Sequence, residues 1–179
     1  FDPAAEAWSS DIAPMSHGRW LHGVATLDGF IYAVGGINIV TPVDVVERYD
    51  PHRNQWTSVA PMGTERYGHS VSVLDECLYA VGGCCKTSAN TVERFDPRVG
   101  KWEQIRPMTT CRQFFGSAVF DGHLYAAGGR CGQHLLESSE KYNPATNEWT
   151  AVADMNGERS GVSPLTMFHV HSNIYKKNL

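Results

Sequence analysis

The chain contains 179 residues, its formal net charge is −4, and 42% of its residues are hydrophobic. This length and apolar content are sufficient for the core of one ordinary domain. Lys and Arg form no extended cluster, and no apolar stretch reaches the length of a membrane span, so we expect neither nucleic acid nor a membrane as a partner.

The chain begins with a segment that predicts the end of a repeat unit. Residues 1–10 contain Asp2-Pro3 followed by Trp8, and the same order returns three times further along the chain, with Asn in place of Asp at the third. The tryptophans that mark this order are separated by 48, 46 and 47 residues: Trp8, Trp56, Trp102 and Trp149. Such a regular spacing indicates an internal structural repeat.

Residues 11–59 form the first complete unit, and its interior predicts four short strands. The apolar run HGVATLDG at residues 22–29 ends in Asp-Gly, which tolerates the positive φ of a tight hairpin turn. IYAVGG at residues 31–36 predicts a second strand, whose double glycine permits a close contact with a neighbouring unit that a Cβ would obstruct. VDVVERYD at 43–50 predicts the third strand, and NQWTSVA at 54–60 carries the Trp of the fourth.

Residues 60–105 and 106–153 repeat the same order of signals. The shared markers are Pro14-Met15, Pro61-Met62 and Pro107-Met108; Arg19, Arg66 and Arg112; Gly35-Gly36, Gly82-Gly83 and Gly128-Gly129; and Glu47, Glu93 and Glu140. Because each unit holds four short strands and no helical periodicity, we predict an all-β fold in which each unit is a blade of four antiparallel strands in a β-propeller.

Residues 154–179 are predicted to be an aborted repeat with a divergent tail. Asp154-Met155 and Arg159 continue the series of markers. Pro164 then stands at the position of a buried strand residue, where Pro is disfavoured, and no further double glycine follows. Three complete blades are not expected to close a ring, so the predicted propeller is partial and leaves blade faces exposed.

The markers together resemble the kelch repeat, and the resemblance covers about residues 1–160. The Pro-Met pair, the Arg and the signatures ERYDP, ERFDP and EKYNP are most similar to kelch-like proteins of the BTB–kelch class. This resemblance implies a repeat that captures a protein substrate or peptide degron for a cullin-RING ubiquitin ligase in the cytoplasm. BTB and BACK domains bind the cullin in that class, and this chain shows neither, so it is not expected to bind a cullin alone.

Two other functions remain open at this stage. One is an actin-associated kelch scaffold, which the residues do not distinguish from a ligase adaptor. The other is an enzyme, because some kelch propellers carry a copper oxidase site built from Tyr, Cys and His around the ring axis. Here His22 and His69 occupy strand-pattern positions, and motifs such as G-x-S-x-G and H-E-x-x-H are absent. We therefore expect a non-enzymatic binding module without a cofactor or a metal.

The candidate partner-binding residues lie in two sets of loops that share one face of the propeller. These loops join the second and third strands of a blade, or join the fourth strand to the next blade. They differ between units while the framework does not, which suits recognition, and aromatic and Arg side chains dominate binding hot spots. The alternative is that the aromatic side chains pack on their own blades. The candidates are Trp20, Leu21, Asn38, Tyr67, Cys85, Gln113, Phe114, Arg130 and Cys131.

The repeating Arg and Glu residues are predicted to be structural. A cation that recurs in every unit is better explained by a recurring partner than by a single binding site, and Glu47, Glu93 and Glu140 recur with the same period. The Trp series and the aromatic residues Tyr49, Phe95 and Tyr142 are predicted to pack between blades.

The chain has five cysteines and no C-x-x-C motif. Without a recognisable secretory signal, we expect free thiols in a reducing compartment. A redox sensor or an incidental zinc site near Cys85 and Cys131 is the alternative, because Arg130 and Lys86 would favour a thiolate. His169 and His171 lack an acid or a Cys at ligand spacing, so we assign no metal to them.

Overall fold

A computed structural model describes residues 3–8, 10–84 and 89–161. Within these ranges the chain forms fourteen β-strands and no helix, so none of its described elements is a candidate membrane-spanning helix. The first blade comprises β1 (Gly23–Leu27), β2 (Phe30–Val34), β3 (Val46–Asp50) and β4 (Gln55–Val59). The second comprises β5 (Ser70–Leu74), β6 (Cys77–Val81), β7 (Val92–Asp96) and β8 (Lys101–Ile105).

The third blade carries a small addition. It comprises β9 (Gly116–Phe120), β10 (His123–Ala127), β13 (Ser139–Asn143) and β14 (Glu148–Val152). Between β10 and β13, the strands β11 (Arg130–Cys131) and β12 (His134–Leu135) form a two-stranded hairpin that the sequence pattern did not indicate. All three blades are antiparallel meanders in chain order, which confirms the predicted all-β, partial-propeller class.

The hairpin between the two inner strands of each blade has the backbone that its turn residues favour. In the first blade, Asp28 and Gly29 have φ of +52° and +79°, and in the third, Asp121 and Gly122 have φ of +49° and +67°. A two-residue turn with positive φ at both positions matches the right-handed twist of the flanking strands. The acidic turns predicted from the sequence are therefore confirmed.

The hydrophobic core lies between the blades. Along β6 the side chains alternate, so that Leu78 and Ala80 pack in the cluster shared with the first blade, while Tyr79 and Val81 pack in the cluster shared with the third. The second blade thus contributes one face to each of its two neighbours. Val24, on the outward face of the first blade, is 54% exposed, whereas Val71 at the same position of the second blade is 9% exposed.

The double glycines mark the closest approach of neighbouring blades. A Cβ on Gly35 would lie 2.7 Å from the carbonyl oxygen of Arg66, and a Cβ on Gly82 would lie 2.6 Å from that of Arg112. The neighbouring glycine uses this proximity, because the Gly36 N–H donates to the same Arg66 oxygen at 2.8 Å. Only glycine fits here, as the sequence analysis predicted.

The aromatic residues of the third and fourth strands pack in two ways. Phe95 lies in the cluster shared with the preceding blade, as predicted, and its ring centroid is 5.2 Å from that of Trp102 within the same blade. The indole N–H of Trp102 donates to the Ala60 carbonyl at 2.9 Å. Trp56 and Trp149 donate in the same way to the Ala13 and Arg106 carbonyls. The Trp of each described blade therefore also ties the linker that precedes the blade to its outermost strand, a role that was not predicted from the sequence.

The segment after the third blade is bonded to that blade by backbone hydrogen bonds, and its assignment as an aborted repeat stays a prediction. The N–H groups of Met155 and Arg159 donate to the carbonyls of Glu137 and Leu136 at 2.9 and 3.1 Å. The Gly129 N–H in turn donates to the Arg159 carbonyl at 2.6 Å. The divergent part of the tail, with Pro164, lies outside the described residues.

The interface between the second and third blades contains a buried hydroxyl cluster. Ser117 is 1% exposed, and its oxygen lies 2.6 Å from that of Ser70 and 2.8 Å from that of Ser72. At the interface between the first and second blades, the same positions are occupied by Val71, Gly23 and Ala25. The same backbone arrangement is therefore filled by hydroxyl groups at one interface and by apolar side chains at the other.

Replacing Ser117 by Val is therefore expected to lower the free energy of unfolding by about 1–3 kcal/mol, because it leaves buried hydroxyls unpaired. The triple variant S70G/S72A/S117V reproduces the other interface and is expected to recover most of this loss. Urea unfolding of both variants and the parent measures the difference. A single variant as stable as the parent, or a triple variant worse than the single one, would show that the cluster is not a matched set.

Candidate functional site

The residues that enter each inner strand pair with the residues that follow the double glycine of the same blade. Trp20 pairs with Ile37 through two backbone hydrogen bonds of 3.1 and 2.9 Å. Tyr67 and Cys84 form the same arrangement in the second blade. The predicted loops therefore meet at one end of each blade. We call this surface the loop face and define it as residues 20–21, 37–42, 67–68, 84, 113–114 and 130–135.

A ladder of backbone hydrogen bonds runs across the blades at the loop face. The Gly68 N–H donates to the Leu21 carbonyl at 2.9 Å, the Phe114 N–H to the Gly68 carbonyl at 2.7 Å, and the Gly161 N–H to the Phe114 carbonyl at 2.7 Å. All four residues have left-handed backbones, with φ of +52°, +60°, +54° and +70° in chain order. The second blade and the segment after the third blade meet this requirement with glycine, but Leu21 and Phe114 meet it at a conformational cost of about 1–2 kcal/mol each. Strain of this kind clusters at functional sites.

The first-blade end of the loop face is apolar. Trp20 is 58% exposed, and Ile39 and Val40, at the tip of the β2–β3 connection, are 94% and 79% exposed. Asn38 is exposed and shapes the tip, because its side-chain oxygen accepts the Thr41 N–H at 3.1 Å. Ile39 and Val40 were missed from the sequence, although two adjacent apolar residues in a loop were the available signal.

The middle of the loop face joins the second and third blades through side chains. The rings of Tyr67 and Phe114 meet edge to face with centroids 6.3 Å apart, and both residues are half-buried. The Cys84 thiol donates to the Gln113 side-chain oxygen. A hydrogen bond with Cys84 raises the pKa of Tyr67. The two aromatic residues thus pack across blades, rather than only on their own blade as the alternative held.

The third-blade end of the loop face is cationic. Arg130 is half-buried, its Nη2 donates to the Gln133 side-chain oxygen at 3.4 Å, and its Nε has no hydrogen-bond partner. Among the residues that the structure describes, no carboxylate forms an ion pair with Arg130. Of the other predicted residues, Cys131 lies at this end, and Cys85 lies outside the described residues.

Two of the cysteines form a disulfide, so the expectation of free thiols was wrong for them. Cys111 and Cys131 are bonded, with their Cα atoms 5.3 Å apart. Twenty residues separate them, but the backbone pairing of Gln113 with Arg130 brings the two segments together. Cys77 is a free, buried thiol whose pKa is raised by burial, and Cys84 is free and half-buried.

Buried ion pairs beneath the loop face hold the linkers, as predicted. The distances are 3.0 Å for Arg19–Glu47, 2.7 Å for Arg66–Glu93 and 3.0 Å for Arg112–Glu140. Arg112 also donates to the Gly128 and Ser138 carbonyls at 2.9 and 2.8 Å, while Glu140 accepts the Thr109 N–H at 2.8 Å. Burial lowers the pKa of Arg112 despite its carboxylate partner. Each pair thereby fixes a linker and a strand end at once.

The described ranges contain no group of three or more His, Cys, Asp or Glu side chains placed to hold a metal ion. A cavity of about 260 Å³ lies away from the loop face, beside the outermost strand β14. It is lined by Arg106, Pro107, Thr109, Glu148 and Trp149.

Comparison with known proteins identifies the repeat. The Kelch motif matches residues 21–63, 65–109 and 111–156. Kelch-like protein 9 of Mus musculus is 43% identical over 64 residues, which cover 33% of this chain and 10% of that protein. Kelch-like protein 13 of Homo sapiens is 44% identical over 64 residues, with the same coverage. Kelch-like protein 35 of Mus musculus is 42% identical over 48 residues, or 27% of this chain and 8% of that protein. The matches thus span about a tenth of the relatives' length.

Proposed function

The chain belongs to the kelch-repeat family, and on this premise we propose that it is a non-enzymatic module that binds another protein through the loop face. The observation that carries the proposal is a contrast between framework and loops. Double glycines, buried Arg–Glu pairs and Trp residues recur in all three blades, whereas the loop-face residues change from blade to blade. A variable surface on a constant framework suits recognition.

The chemistry of the loop face supports a protein partner. Trp20, Ile39 and Val40 offer exposed apolar area at one end. At the other end, Arg130 offers a cation that has no carboxylate partner within the part of the chain that the structure describes. Aromatic and Arg side chains carry much of the energy of protein interfaces. We infer that the partner places an apolar side chain against the first blade and a carboxylate near Arg130.

We further propose that the longer protein is a cytoplasmic substrate adaptor of a cullin-RING ubiquitin ligase. The support is the resemblance of the repeats to the BTB–kelch class and their similarity to the kelch-like proteins. In that class other domains bind the cullin, so the present chain would supply only the recognition of a substrate or degron. The alternative is an actin-associated scaffold, and the experiments have to distinguish it from the ligase adaptor.

Replacing Trp20 or Arg130 by Ala is expected to weaken binding of the partner at least tenfold, or by about 1.4 kcal/mol or more. Thermal unfolding should hardly change for W20A, because the Trp20 side chain is 58% exposed. Val99→Ala is the matched control, since Val99 is 65% exposed in the β7–β8 turn at the opposite end of its blade. Proteins retained by the parent chain and by V99A are identified, and their affinities for all variants are measured calorimetrically. Equal affinities for every variant would contradict the proposal.

Two further measurements separate the candidate functions. Co-sedimentation with filamentous actin that W20A abolishes would support the scaffold and contradict the adaptor. For the adaptor, ubiquitination of the captured partner in cells should depend on the full-length protein and be lost in its W20A variant. Cell fractionation tests the cytoplasmic location.

A further inference from the structure

The disulfide joins the linker that leads into β9 to the hairpin at the third-blade end of the loop face. Cys111 lies in the linker that leads into β9, one residue before the anchoring Arg112. Cys131 lies on β11, in the small hairpin that follows the double glycine of the third blade. Both cysteines are half-buried, and residues 132–135 beside them are exposed. The bond is therefore at the surface, within reach of small thiols.

The cysteine pair is a feature of the third blade and not of the repeat. The position of Cys111 is occupied by Gly18 in the first blade and Glu65 in the second. The position of Cys131 is occupied by Asn38 and Cys85. Since the other two blades hold the same framework without two cysteines at these positions, the repeat itself does not need the bond.

The anchoring contacts of the linker do not depend on the disulfide. Arg112 is 0% exposed and bonded to Glu140 and to two carbonyls beneath the loop face. The base of the hairpin is held at Arg130, which pairs with Gln113 through two backbone hydrogen bonds. The rest is less well held, because β11 and β12 are two residues each and pair with each other through Arg130–Leu135 and Cys131–His134. Breaking the bond should therefore leave the blade folded and loosen residues 131–135, whose Gln133 accepts a hydrogen bond from the Arg130 side chain.

We propose that Cys111 and Cys131 form a reversible redox switch that sets the order of the β11–β12 hairpin and thereby the affinity of the loop face. The effect on the affinity of the loop face rests on the proposed function. A thiolate of the reduced pair attacks glutathione disulfide, which forms a mixed disulfide and releases one glutathione thiolate. The second cysteine then attacks the mixed disulfide and releases the other glutathione. The pair loses two electrons and two protons, and one glutathione disulfide becomes two glutathiones.

The first test is a redox titration of the whole chain. The protein is equilibrated over a range of glutathione to glutathione disulfide ratios, quenched by alkylation, and the Cys111–Cys131 peptide is quantified by mass spectrometry. We expect a single two-electron transition within the range of cellular ratios. Cys111→Ser and Cys131→Ser should abolish it, whereas Cys84→Ser, a half-buried cysteine on the same face, should preserve it. Separate glutathionylation of the two cysteines, or a bond that persists in excess reduced glutathione, would overturn the switch.

The second test measures what the bond controls. On reduction, hydrogen exchange of residues 131–135 is expected to rise several-fold while β9 and β10 stay protected. Closing a loop of this length should also raise the Tm of the oxidised form by on the order of 10 °C. Unchanged exchange in the hairpin would overturn the control of its order. If exchange changes but the captured partner binds both redox forms equally, the link to the loop face fails. If the parent chain retains no partner, or if W20A and R130A bind it as tightly as the parent does, the proposed function fails, independently of the switch.

Discussion

Replacing Arg66 by Met is expected to lower the free energy of unfolding by about 3–5 kcal/mol. The Arg66 side chain is fully buried and donates to Glu93 at 2.7 Å and to the Gly82 and Thr91 carbonyls at 2.7 and 3.1 Å. Its removal leaves the 1%-exposed Glu93 carboxylate without a counter-charge. Urea unfolding followed by tryptophan fluorescence at neutral pH measures the loss.

The chain offers a matched control at the same repeat position. Arg159 belongs to the same series but is exposed, so Arg159→Met is expected to change the free energy of unfolding by no more than about 0.5 kcal/mol. The double variant R66M/E93L should recover part of the loss, because it removes the unpaired charge as well. If R66M lowers the free energy of unfolding by no more than about 1 kcal/mol, which is on the order of the effect of a surface substitution, the Arg66–Glu93 pair does not hold the linker.

Acidification below about pH 6.5 is expected to destabilise the protein through His69. This side chain lies between the first and second blades, where a Cβ on Gly35 would meet its Cε1 at 2.9 Å. Burial, and next the charge of Arg66 and the neighbouring His22, lower the pKa of His69 to about 3. The folded protein therefore keeps this imidazole neutral, whereas the unfolded chain binds a proton near pH 6.5.

The sign and size of the effect follow from this difference in proton binding. Above pH 6.5 the imidazole is neutral in both states and contributes no pH dependence. Between pH 6.5 and about 3 only the unfolded state gains the proton, so the free energy of unfolding falls by about 1.4 kcal/mol per pH unit, or about 2 kcal/mol at pH 5.

His69→Phe is the variant that isolates this contribution. Phe115 occupies the same position in the third blade, where it is 5% exposed, so the framework accepts a phenyl ring there. The free energy of unfolding of H69F and of the parent is measured in urea at pH 7.5, 6.5, 5.5 and 5.0, which span the titration of His in the unfolded state. The slope of this free energy against pH should be smaller for the variant by the equivalent of about one bound proton. Parallel curves for the two proteins would contradict a neutral, buried His69.

The framework was readable from the sequence because every part of it recurs. A residue that repeats every 46 to 48 positions contacts the same neighbours in each blade, so the double glycines, the acidic turns and the Arg–Glu pairs were each indicated three times. The face that gathers the variable loops followed from the order of the strands. Trp20, Tyr67 and Arg130 each form a backbone bridge at that end of their blades, and their role in binding a partner stays a prediction.

Two of the features that were missed do not recur. The Cys111–Cys131 bond and the exposed Ile39–Val40 tip each belong to one blade, and no periodic signal marks them. Contacts between residues of different segments depend on how each loop is folded, which the local pattern of residues does not encode.

The amino-acid sequence by itself thus determined the period, the blade and the all-β class, because nearest-neighbour packing between identical units requires the same residues each time. Only the tertiary structure decided which cysteines meet and where the loop face is apolar or cationic. It also showed that a hydroxyl cluster seals one blade interface and Val71 the other. All of these features join or place segments that are distant in the sequence, and they exist only once the linkers are anchored and the loops brought to one end of the sheet.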